Sequence, residues 1–103
     1  MEKIFNKLVR DKIPSIIESE GRKVNIKQLN NDEFKNELNK KLLEEVNEYL
    51  EDNNVEELAD IVEVIYGLIK SMGLSMEEFE KIRKEKVEKR GAFDTKTFLI
   101  SSE

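Results

Sequence analysis

The sequence predicts a mainly all-α domain, a four-helix arrangement in the manner of a bundle. Three observations lead there. Apolar residues recur at three- and four-residue intervals over long stretches. Two capping boxes, Asn30 with Glu33 and Ser75 with Glu78, mark helix starts. Glycines at 21, 73 and 91 stand where the periodic runs stop.

Each element has its own justification. Pro14 opens the first helix, near 14–20, because a proline is tolerated in the first helical turn. The second runs from about 31 to 51 on the stripe Phe34, Leu38, Leu42, Val46 and Tyr49. The third, near 54–72, is the most apolar, with Leu58, Ile61, Val62, Val64, Ile65, Leu68 and Ile69. The fourth spans about 75–90. Two β-prone runs, Val24–Leu29 and Thr97–Ile100, allow one small two-stranded ribbon, although a lone ribbon is marginal in water.

Composition narrows the function. At 103 residues the chain makes one domain, and residues 1–103 are read as a single unit. With 38% hydrophobic and 40% charged residues, the core is thin, which favours association between copies. The chain has no Cys and no His. That excludes disulfides, Cys/His zinc sites, and Cys or His nucleophiles. It also argues against carboxylate-bridged di-iron bundles, which use a Glu-x-x-His on two helices. A formal net charge of −5 gives no reason to expect nucleic-acid binding. No apolar run approaches the roughly 20 residues of a membrane span. The N-terminal residues lead into no signal-like stretch. A soluble, cytoplasmic protein with no membrane partner is the expectation.

The acidic residues carry the chemistry. Glu44, Glu45 and Glu48 lie on the second predicted helix, Glu57 and Asp60 on the third. Residues three or four apart share a helix face. Folding the chain about Asp52-Asn53-Asn54 brings Glu48 level with Glu57, and Glu45 level with Asp60. Surface glutamates near a helix N-terminus also favour the macrodipole, and Glu57 on its own reads as the return arm of an Asn54 capping box. Helical-wheel positions argue against solvation for the set, because Glu45, Glu57 and Asp60 fall at the margins of apolar stripes. Carboxylates placed there need pairing or a metal. Oxygen-only donors suit Mg²⁺ or Mn²⁺. Glu45, Glu48, Glu57 and Asp60 are the expected metal ligands. Glu44, Glu45 and Glu48 are the expected catalytic residues, with Glu44 a candidate to orient and deprotonate water.

Cations complete the pattern. Arg83, Lys86 and Arg90 project along the apolar stripe of the fourth helix, and Lys7, Arg10 and Lys12 form a second basic group. Long stems covering apolar surface account for any one of them. As a set they suit phosphate oxygens that a metal also touches. No Walker A sequence is present, so a P-loop is excluded.

Glu44-Glu45-Val46-Asn47-Glu48 followed by Glu57-Leu58-Ala59-Asp60 resembles the E-E-x-x-E then E-x-x-D signature of the all-α nucleoside triphosphate pyrophosphohydrolases. These are the MazG-like and phosphoribosyl-ATP pyrophosphohydrolase-like proteins. Asn6-Lys7-Leu8-Val9-Arg10-Asp11-Lys12-Ile13-Pro14 resembles the opening of a compact subgroup. Lys89-Arg90-Gly91-Ala92-Phe93, with Phe98-Leu99, resembles its closing segment. Only eight residues separate Glu48 from Glu57, fewer than in many members. The resemblance implies a MazG-type helical fold and a homodimer or higher homo-oligomer. It implies Mg²⁺ held by the carboxylates of two helices. It also implies hydrolysis of a nucleoside triphosphate or related nucleotide between the α and β phosphates. The alternative is a non-catalytic nucleotide-sensing or partner-binding module that keeps the acidic cleft.

Overall fold

In the computed structural model, which describes residues 2–103, the chain is all-α with four helices. They are α1 (Ile13–Ser19), α2 (Asn31–Asp52), α3 (Val55–Ser71) and α4 (Met76–Arg90). Both predicted capping boxes form. Asn30 accepts from the Glu33 backbone at 2.9 Å, and the Glu33 side chain accepts from the Asn30 backbone at 3.2 Å. Ser75 and Glu78 exchange the same pair of bonds, each 3.1 Å. Gly73, at φ 78°, ends α3 in a Schellman turn. There Leu74 N–H donates to the Ile69 carbonyl and Gly73 N–H to that of Lys70.

The α2–α3 hairpin organises the molecule. Asn53 caps α2 in the left-handed region, at φ 51°, and its N–H donates to the Tyr49 carbonyl at 2.7 Å. Asparagine tolerates this backbone better than most residues. Asn54 then starts α3 by accepting from the Glu57 N–H at 3.0 Å. Two residues therefore reverse the chain and fix the register of both helices. Leu38, Val64 and Ile69 are the buried apolar residues between them. Gly67 admits Leu38 closely, since a Cβ at 67 would lie 3.0 Å from Leu38 Cδ2.

The remaining elements pack sparsely. α4 meets α3 near their shared turn and does not reach α2, and α1 packs on no other helix. The radius of gyration is 18.2 Å, against about 13 Å for a compact chain of this length.

The ribbon allowed by the sequence does not form among the described residues. Val24–Leu29 and Thr97–Ile100 are irregular, and Phe98, Leu99 and Ile100 are exposed. The physical reason is the marginal stability of an isolated pair of strands with no third element to cover its apolar face. No helix of the described residues is long and apolar enough to cross a membrane.

Candidate metal centre

The hairpin brings the five predicted carboxylates together. Two groups form. Glu44, Glu45 and Glu48 are one, and Glu45, Glu57 and Asp60 are the other. In each, one carboxylate oxygen per residue lies within 4.8 Å of the others. Glu45 belongs to both, so the groups are two lobes of one site across the α2–α3 seam. This donor set can hold a metal ion.

Glu45 is the centre of the site. It is only 7% exposed, the one buried charged residue found among those described. Its Oε2 is shielded from water and has no hydrogen-bond partner. Burial raises its pKa first. A hydrogen bond with Glu48 and the Glu48 charge raise it further, Lys41 opposes them, and Asp60 adds to the rise. All but Lys41 disfavour the ionised form, and Lys41 offsets them only in part.

Glu57 shows the same condition from α3. Glu33 and Glu78 stand at the equivalent position of α2 and α4, and both reach back to close a capping box. Glu57 does not, although Asn54 caps its backbone. Its Oε2 is also shielded and unpartnered. Withdrawal from water raises its pKa, followed by the charges of Glu48, Asp52 and Asp60 and a hydrogen bond with Asp52. The helix-capping role open to Glu57 in the sequence is therefore not the one its side chain adopts.

Three cations touch the acids. Lys7 Nζ lies 3.4 Å from Glu44 Oε1, and Arg10 Nη2 donates to Asp60 Oδ1 at 2.6 Å. Lys41 Nζ lies 3.6 Å from Glu44 and 3.5 Å from Glu45. Lys7 and Arg10 were expected near the site, whereas Lys41 is one the sequence reading missed. Its spacing of three and four residues before Glu44 and Glu45 is the signal that marks it. Asp52, at the end of α2, is a second such residue.

The other predicted cations lie elsewhere in the single chain. Lys12 is exposed at the start of α1. Arg83 forks onto Glu80 within α4, with contacts of 2.8–3.1 Å. Lys86 and Arg90 are exposed and make no ion pair among the described residues. Comparison with protein-family models, curated proteins and solved structures finds no significant match to this chain.

Proposed function

We propose that the protein is a Mg²⁺-dependent nucleoside triphosphate pyrophosphohydrolase, releasing a nucleoside monophosphate and pyrophosphate. One observation carries the reading. Glu45 and Glu57, on facing helices, each bury a carboxylate oxygen without a partner in one acidic cluster. Such groups are costly to keep unless a cation joins them. Their oxygen-only chemistry suits Mg²⁺, or Mn²⁺ in its place.

Glu45, Glu48, Glu57 and Asp60 would hold the ion, which when bound supplies positive charge to the phosphate oxygens and acidifies water. Glu44, more exposed than Glu45 at the rim, would take the proton of the attacking water. The water oxygen bonds to the α phosphorus. The bond from that phosphorus to the α–β bridging oxygen breaks, and the bridging oxygen leaves with pyrophosphate. Lys7 and Arg10 already contact the acids, so phosphate beside the ion lies within their reach.

Arg83, Lys86 and Arg90 enter this reading through a second copy. The chain exposes 9627 Å², against about 6,000 Å² for a compact monomer of its mass. Val55, Leu58, Val62 and Tyr66 are exposed at helical spacing on α3, and Leu43 and Leu50 are exposed on α2. A homodimer formed over these residues would cover them. Sedimentation should show a dimer at micromolar concentration, and a stable monomer would refute the assembly.

The chemistry is tested by incubating the protein with a nucleotide panel and Mg²⁺ and identifying the phosphate product. Pyrophosphate supports the proposal. Orthophosphate would point to another phosphatase, and no release would favour the sensing module.

A further inference from the structure

We infer that residues 7–10 form a counter-ion strap, in which Lys7 and Arg10 neutralise the metal-free site and leave it when a divalent ion enters, to take the phosphate oxygens of the substrate. The inference rests on the metal-dependent reading above. Lys7 and Arg10 come from the same short segment, yet each holds a different helix. Lys7 reaches Glu44 on α2, and Arg10 reaches Asp60 on α3. Each therefore sits on a different lobe of the site. The strap crosses the seam at which an ion would bind.

The carboxylate oxygens each cation holds, and its exposure, decide which cations stay. Five carboxylates in the two lobes face three cations, which leaves two negative charges uncompensated. One divalent ion makes up that deficit. Its coordination, however, calls on the oxygens that the cations now hold, Glu44 Oε1 by Lys7 and Asp60 Oδ1 by Arg10, so an ion that takes those oxygens displaces them. Lys41 is poorly placed to leave, because its side chain is only 18% exposed and projects from α2 itself. Lys7 and Arg10 are 44% and 55% exposed. Exposed pairs of this kind hold weakly. The strap has no helix of its own to anchor it, and the α1 that follows packs on no other helix. Once lifted, both cations remain tethered beside the site, free to pair with phosphate. Metal would then bind before nucleotide.

Trypsin reads the strap directly, because it cleaves after Lys7 and Arg10. Cleavage after Lys96, in the exposed C-terminal tail, is the internal reference. Mg²⁺ should raise strap cleavage relative to the tail by up to about fivefold for each pair released. An α,β-methylene nucleoside triphosphate added with Mg²⁺ should restore protection. Asp60→Asn should speed cleavage after Arg10 without metal. Calorimetry on the same samples records Mg²⁺ binding. Bound Mg²⁺ with strap cleavage unchanged or slowed overturns the strap and leaves the metal site standing. Absence of Mg²⁺ binding overturns both. Failure of the analogue to protect overturns the transfer of the cations to phosphate, and an unchanged Asp60→Asn pattern overturns the tether.

Discussion

Replacing Glu45 with Gln should stabilise the metal-free protein and destabilise it relative to wild type when Mg²⁺ is present. The side chain is 7% exposed, sits in both acidic groups, and has one shielded oxygen without a partner. Leaving a buried polar group unsatisfied costs about 1–3 kcal/mol. Gln keeps the shape, removes the charge, and can donate to Glu48. The loss of the Lys41 contact offsets part of the gain, but Lys41 retains Glu44 at 3.6 Å. A net gain of about 1–2 kcal/mol corresponds to a rise of roughly 5–10 °C in Tm for a domain of this size. Mg²⁺ at a hundred times its Kd would stabilise wild type by about 2.7 kcal/mol and the variant far less. The order of the two proteins therefore inverts between EDTA and Mg²⁺. Differential scanning calorimetry at one fixed protein concentration measures both conditions. A lower Tm for Glu45→Gln in EDTA would refute the reasoning, because Glu45 would then be a structural partner of Lys41.

Three further outcomes follow from the geometry. Glu45 and Glu57 have pKa values raised above the ordinary 4.5, so their contribution to stability is full below that value and lost as pH rises through the folded values. Glu78, held down by Ser75, and Glu80, held down by Arg83, contribute above 4.5 and lose that contribution as pH falls below it. Without metal, Tm should peak in mildly acidic solution, and a steady rise from about pH 5 to about pH 7 would contradict this. Asp60→Asn should abolish both Mg²⁺ binding and turnover, whereas Lys86→Ala or Arg90→Ala should spare the ion and lower kcat/KM roughly ten- to a hundredfold; equal loss of Mg²⁺ binding in all three removes the phosphate assignment. Leu38→Ala should cost about 2–5 kcal/mol in denaturant unfolding, since Leu38 is the buried α2 residue seated against Gly67, and a cost near zero would show that the hairpin is held elsewhere.

The hairpin was legible because its signals are local. Asn30, Asn54 and Ser75 cap what their sequence contexts suggest, and Asp52-Asn53-Asn54 levels the acids as the spacing requires. The burial of Glu45 followed from its place at the edge of an apolar stripe. Lys41 was not picked out, because beside Lys40 it looks like one more surface lysine, and only the packing of α3 makes it part of the site. The β-prone runs misled for a different reason. Alternation at Val24 and Ile26, or at Phe98 and Ile100, states a preference for extended backbone but names no partner. The reach of α4 was also illegible, because its cations define a face while only long-range packing says what that face meets.

The two-residue reversal at Asn53 and Asn54 also sets the order in which the molecule comes into being. Every acid of the site lies between Glu44 and Asp60, and the contacts that assemble it are those of one helical hairpin. Pairing of adjacent helices takes microseconds to milliseconds. Once residues 31–71 are clear of the ribosome the acids converge, and begin to repel, without waiting for α4 to dock, because α4 does not reach α2. The cations that touch them all precede them in the chain, Lys7 and Arg10 ahead of α2 and Lys41 within it. A chain that places basic residues before a dense acidic hairpin carries the means to let it close before its last helix docks.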